Sequence, residues 1–228
     1  MAGNRDGKQS GLSGWLRTQG REWVKSILIA FILFLFIRAF FVQAFKIPTG
    51  SMEDTLLVGD FLLVNKLIYG PHIPLTDKRL PSLKEPKKGD IIVFKYPLDK
   101  DLDFVKRCVA TPGDTVKMVD KILFVNGKRI DEPYVHFISK RIVPRNPHRR
   151  NDELEKPRFP LTRDNFGPFE VPEGKYFVLG DNRDNSSDSR VWGFVDRDLI
   201  IGKPLFIYFS WDKEKFFPRF GRLGTIIR

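Results

Sequence analysis

The sequence predicts a mainly β protein: an antiparallel β-sheet domain with a smaller β-rich insertion, preceded by one N-terminal transmembrane helix. Three observations carry this. The run ILIAFILFLFIRAFFVQAF, from Ile27 to Phe45, is apolar almost throughout, and as a helix rising 1.5 Å per residue it is long enough for a hydrocarbon core of about 30 Å. Beyond it, short runs rich in Val, Ile and Phe alternate with Gly, Pro, Asn and Asp clusters, the pattern of strands and turns. No later stretch shows the 3.6-residue apolar period of a long amphipathic helix.

Residues 1–23 are polar and Gly-rich and read as a flexible tail, with 24–45 as the anchor and 46–228 as the folded domain. Arg38 is the one charge within the apolar run. A central arginine costs about 2.5 to 3.5 kcal/mol on insertion scales, but Arg38 lies near the far end, where its side chain can snorkel to the headgroups. Arg5, Lys8, Arg17, Arg21 and Lys25 crowd the N-terminal side, so the positive-inside rule puts the tail in the cytoplasm and the domain outside. A second reading is a cleaved signal peptide, since Val42-Gln43-Ala44 resembles a small-residue cleavage site; against it, the apolar run exceeds the usual 7 to 15 residues.

Strands are expected over Leu56–Lys66, broken at Gly59-Asp60, then over Ile91–Pro97, which ends at its proline, and over Leu102–Ala110. Thr111-Pro112-Gly113-Asp114 is turn chemistry. Thr115–Val119 and Ile122–Val125 follow, and Asn126-Gly127 marks a two-residue hairpin turn into Lys128-Arg129-Ile130. Around 137–167 the composition shifts to Pro, Arg and Asn, which reads as a basic, partly mobile surface insertion. Lys175–Leu179 is a further strand, Ile200, Ile201 and Leu205–Trp211 a last strand pair, and Phe216, Phe217 and Phe220 an aromatic tail.

The 228 residues, 42% hydrophobic and 13% aromatic, suffice for an anchor and one ordinary domain and exclude disorder throughout. A net charge of +11 implies attraction to something negative. The basic insertion lacks the interleaved aromatics that stack bases, so no nucleic acid is expected and a solvated or lipid-facing patch is. One cysteine, Cys108, excludes an internal disulfide and a Cys-based zinc cluster. His72, His136 and His148 are far apart without helical pairing, and no metal is expected. The polar loop Gly180–Arg190 tempts a calcium reading, but its third, sixth and twelfth positions from Asp181 are Arg183, Ser186 and Trp192, which do not fit an EF-hand.

Chemistry centres on Ser51 and Lys106. Two readings of Ser51 stand on its neighbourhood alone. It is a nucleophile, or, followed three residues later by Asp54, it caps a helix start. Alternation along the third strand sets Phe104, Lys106, Cys108 and Ala110 on one face and Val105, Arg107 and Val109 on the other. Among apolar neighbours a lysine loses its proton more readily, because desolvation penalises the ammonium, and it then serves as a general base. Alternatively its head group reaches solvent past the sheet edge, as most lysines do. A serine hydroxyl needs such a base to attack a carbonyl. No Gly-x-Ser-x-Gly elbow or histidine setting offers another route. Thr49 and the Ser51 N–H lie near enough to stabilise an oxyanion.

Four blocks, in order after the span, resemble the bacterial type I signal peptidases, the leader peptidase family of membrane-bound Ser-Lys proteases. They are Pro48-Thr49-Gly50-Ser51-Met52; Gly59-Asp60; Leu102–Arg107 leading to Pro112-Gly113-Asp114; and Gly180–Ser186 through Trp192-Gly193. The resemblance implies Ser51 as nucleophile, Lys106 as general base, Thr49 and the Ser51 N–H as oxyanion hole, Ser186 orienting the lysine, and Asp188 and Arg190 as structural support. It further implies that Ile47, Pro48 and Val105 line shallow pockets for small side chains at the first and third positions before the cleavage point. The partners implied are exported preproteins with signal peptides and membrane lipids, the location is the bacterial cytoplasmic (inner) membrane, and no cofactor is required. Asp54 departs from the family, where proline is usual, and some members have two spans. Two alternatives share parts of the pattern: a self-processing Ser-Lys protease, which normally lacks a span, and a non-enzymatic membrane-tethered binding module in which Ser51 only caps a turn.

Overall fold

A computed structural model describes residues 7–74, 76, 78–143 and 163–228, with the backbone alone for 7–18. Its longest element is helix α1, Gly7–Phe40, and the part Gln19–Phe40 is long and apolar enough to cross a membrane. The helix starts well before the expected anchor and stops short of its end. Helical backbone therefore reaches into the expected tail, and Val42–Lys46 is strand β1. The cause is tertiary: β1 pairs antiparallel with β2 (Asp60–Asn65), Val42 opposite Asn65 and Lys46 opposite Phe61, and that ladder is available only to an extended chain.

The larger sheet, with strands numbered along the chain, runs β1, β2, β11 (Ile200–Asp212), β3 (Ile91–Tyr96), β4 (Asp99–Ala110), β9 (Lys175–Leu179), β10 (Val195–Asp196), and β12 (Phe217–Pro218) pairs with β11. The smaller sheet runs β7 (Lys128–Arg129), β6 (Ile122–Val125), β5 (Thr115–Val119), β8 (Phe166–Glu170). It is inserted between β4 and β9, and all pairings are antiparallel. At the β6–β7 turn Asn126 and Gly127 both have positive φ, 52° and 75°, as a hairpin turn matched to strand twist requires.

Period two sorts the core. On β3, Ile91 and Val93 join Ile47, Met52, Leu62 and Ile207 on one face, while Ile92 and Phe94 join Cys108, Val178 and Trp192 on the other. A third cluster, including Val116, Leu123, Phe166 and Phe177, binds the small sheet to the large one. Each fully buried aliphatic or aromatic side chain contributes about 1.5 to 3 kcal/mol.

Three expectations change here. The last strand pair is one strand, β11, which uses Ile200 and Gly202 against β3 and Lys203 to Ser210 against β2. Its ladder to β2 is irregular just after Pro204, since proline has no N–H to donate. Alternation on β4 holds through Cys108 and then fails: the register against β9 shifts between Cys108 and Ala110, and both Val109 and Ala110 face the small-sheet core. The basic insertion ends earlier than expected, because Phe166 is buried in β8 and Asp164 is buried against Lys121 and Arg163. Its residues 144–162 lie outside the described residues.

Candidate active site

Ser51 lies in a single 3₁₀ turn, Gly50–Met52, that follows β1. Met52, Ile47 and Leu56 are buried around the turn and fix its backbone. Loop 180–185 straps it from the other side: Asn182 N–H donates to the Ser51 carbonyl (3.2 Å), and Asn182 Nδ2 donates to Gly50 O (3.2 Å) and Glu53 Oε2 (3.1 Å). The capping reading of Ser51 fails. Thr49 is the residue at the N-cap, it makes no side-chain cap bond, and the Ser51 hydroxyl is committed elsewhere.

That partner is Lys106. Its Nζ is 2.7 Å from Ser51 Oγ and donates to the Val105 carbonyl at 2.9 Å. Lys106 pairs with Ile92 of β3, just beyond the end of the β9 ladder, and is only 4% exposed, its Nζ 5.3 Å from the Phe104 ring centre. The solvent-reaching alternative is thereby removed. Burial lowers the lysine pKa to about 8, with Asp188 and Asp181 pulling weakly upward and Arg190 adding to the lowering. Near that pH the amine is neutral in a large share of molecules, and a neutral amine at 2.7 Å has the geometry to accept a proton from a hydroxyl.

Thr49 Oγ1 stands 3.5 Å from Ser51 Oγ and is positioned to donate to it. Ile47, Pro48 and Val105 lie with Thr49, Ser51 and Lys106 around one groove of 430 Å³, which Phe45, Lys46, Asp103, Asn185 and Ser187 also line. Ser186 Oγ is buried against Gly180 and the Asp188 carboxylate without a hydrogen bond of good geometry, and none joins it to Lys106. Asp188 accepts from Arg190 Nε (2.8 Å) and Nη2 (2.7 Å) and from the Gly180 N–H (3.0 Å). Despite complete burial these contacts hold the Asp188 carboxyl below its usual range, so the pair stays ionised. Gly180 is required by close approach: a Cβ there would stand 2.2 Å from Ser186 Oγ and 2.5 Å from Ser51 O.

Sequence reasoning missed a second buried pair. Arg107, the neighbour of Lys106, meets Asp181 in a two-pronged contact of 2.9 and 2.8 Å, and Asp181 Oδ2 also accepts from Thr55 Oγ1 at 2.7 Å. The guanidinium stacks 3.7 Å from the centre of Tyr134. The signal was present, since an arginine between Val105 and Val109 on an interior strand demands a counter-charge. Asp54 also has a physical account. Its φ is 75°, closed to proline's ring, and its carboxylate meets His136 Nδ1 at 3.0 Å.

A buried lysine bonded to a serine, with a threonine hydroxyl and a largely apolar groove beside them, can perform acyl transfer to the serine. Comparison with known proteins agrees. The family described as signal peptidase, peptidase S26, matches residues 20–211. A signal peptidase I of Pseudomonas fluorescens is 37% identical over 90% of this chain and 78% of its own, and that of Aquifex aeolicus 37% over 91% of each. A solved signal peptidase I from Enterococcus faecalis aligns with 54% of this chain and 98% of its own, at 34% identity and a TM-score of 0.39. With most of its length matched by the family and by relatives of this identity, this chain belongs to the signal peptidase family, peptidase S26.

Proposed function

We propose that this chain is a membrane-anchored endopeptidase that removes N-terminal signal peptides from exported preproteins through a Ser51–Lys106 dyad, cutting after small residues at the first and third positions before the scissile bond. One observation carries the reading: the 2.7 Å Nζ–Oγ contact on a lysine whose burial keeps its pKa near 8. Neutral Lys106 takes the Ser51 proton as Oγ attacks the carbonyl, and Thr49 and the Ser51 N–H stabilise the oxyanion. The ammonium then returns that proton to the departing amine, leaving an acyl-serine. Water attacks this ester with Lys106 again as base, and the signal peptide leaves with its new carboxylate. Ser186, whose hydroxyl lies against the Asp188 carboxylate beside the site, steers the lysine as its proton moves, and Asp188 and Arg190 hold the loop beneath it.

Ile47, Pro48 and Val105 support the preference for small side chains, because they line a largely apolar groove beside Ser51. The length and composition of α1 support an anchor in the bacterial cytoplasmic membrane, with residues 1–23 cytoplasmic and the domain from 46 onward extracytoplasmic. Ser51 then works one strand and one turn beyond the bilayer, where a signal peptide presents its cleavage site. Incubating the purified chain with an exported preprotein, beside Ser51→Ala and Lys106→Ala, tests this. Wild type should release a shortened product and both variants should lose at least 1,000-fold in rate; undiminished cleavage by either would sink the dyad.

A further inference from the structure

Apart from the catalytic groove, the fold holds a cavity of 360 Å³ where α1 meets the sheet, lined by Phe34, Ile37, Arg38, Val42, Ala44 and Leu63 with Gln43. Its walls are apolar except at Arg38 and Gln43. Among the described residues the Arg38 guanidinium has neither a hydrogen bond nor an ion pair. A second cation is close by. Lys66 Nζ donates to the Ala39 carbonyl (2.7 Å) and the Arg38 carbonyl (3.5 Å) at the C-terminal end of α1. Burial lowers the Lys66 pKa, and the neighbouring Arg38 charge lowers it further. Among the described residues no carboxylate pairs with either cation: the only acid on β1 or β2 is Asp60, buried and paired with Arg222. The site thus joins an apolar slot, continuous with the lipid-facing side of α1, to two cations that lack a counter-ion.

We infer that this junction binds one anionic phospholipid, its phosphate on Arg38 and Lys66 and the upper part of an acyl chain between Phe34, Ile37, Val42 and Leu63. The inference rests on the reading of α1 as a membrane span. Charge complementarity selects the lipid class, because a zwitterionic headgroup brings its own ammonium next to two unrelieved positive charges, whereas a phosphatidylglycerol brings net negative charge alone. The lipid would wedge the anchor against β1, the strand whose last residues, Phe45 and Lys46, line the catalytic groove.

The test reconstitutes the full chain into nanodiscs of phosphatidylcholine and phosphatidylglycerol and counts co-retained lipids by native mass spectrometry. Wild type should keep one phosphatidylglycerol at least tenfold above its share of the bilayer. Arg38→Gln with Lys66→Gln should reduce that to the bilayer ratio, whereas Lys100→Gln with Lys128→Gln, which removes the same charge elsewhere, should not. Ala44→Phe, which fills the slot and keeps both cations, should also lose the lipid. A chain that enters the discs but retains both lipids in the bilayer ratio overturns the inference alone, as does equal enrichment in the Arg38/Lys66 variant. A chain that stays out of the discs overturns the anchoring reading and this one with it.

Discussion

On the proposed role of Lys106, function and stability stand in opposition. In the unfolded chain a lysine holds its proton to about 10.5; in the fold it releases it near 8. Between those values the unfolded state binds more protons, so stability rises with pH across that window, and below pH 8 the full penalty stands, about 3 kcal/mol. Lys106→Met should therefore raise the melting temperature at pH 7 by several degrees, less what is lost with the Ser51 and Val105 hydrogen bonds. The same substitution should flatten the rise from pH 8 to 10.5 in a denaturation series. Activity has the complementary dependence. The kcat/KM of wild type should climb to a midpoint near pH 8, with the value at pH 6 about 100-fold below the plateau, because the free enzyme must hold Lys106 neutral to attack. A profile flat from pH 6 to 9 would show that another group is the base. The pair next to it carries a different energy. Asp181→Asn leaves Arg107 charged and 3% exposed, and should cost about 3 to 5 kcal/mol in denaturant unfolding.

Among the elements, β4 and loop 180–190 make the site, and their meeting is where sequence and fold part company. Lys106 and Ser51 are 55 positions apart and Arg107 and Asp181 74 apart. Lys106 is conspicuous as a lysine among apolar neighbours on an expected strand, but that pattern alone leaves a solvent-reaching head group open, and the expectation of a base comes from the resemblance of the four blocks. The Arg107–Asp181 partnership was not legible, because it depends on the register of β4 against β9, Arg107 opposite Leu179, and no local pattern states a register. Strands β3, β5 and β6 and the Asn126-Gly127 turn could be read because apolar β-rich runs and the turn or proline residues that bound them are local. β1 could not, since Val42–Phe45 shares the apolar character of α1 and only pairing with β2 makes it a strand. Gly180 shows how tightly the two elements meet. Gly180→Ala pushes a methyl into Ser186 Oγ and the Ser51 carbonyl, so the Ser51 turn must move away from Lys106. We expect at least a 100-fold fall in kcat with a modest change in melting temperature, because the displaced atoms belong to the site and not to the three core clusters; a variant with normal kcat would mean the turn has slack.

At the scale of the molecule, α1 contributes no side chain to any of the three core clusters, so the domain should not depend on it for stability. Its apolar surface does not end with α1. On β2 and β11, Phe61 packs against Tyr208 and Phe209, and Phe209 stacks on Trp211. Beyond Trp211 the chain turns back into β12, leaving Phe216, Phe217 and Phe220 at 77%, 59% and 61% exposure. Three largely bare phenylalanines on one short hairpin have no internal purpose, and a bilayer is the solvent that would take them. A chain shortened to begin at Val42 should accordingly fold, with the cooperative unfolding of an intact core, and still float with phosphatidylglycerol vesicles. Replacing all three phenylalanines with serine in that shortened chain should reduce the bound fraction at least tenfold and leave the unfolding midpoint within experimental error, since the rings are exposed. If binding survives the replacement, the aromatic hairpin is not what rests on the bilayer; if the shortened chain never binds, α1 alone holds the active site at the membrane.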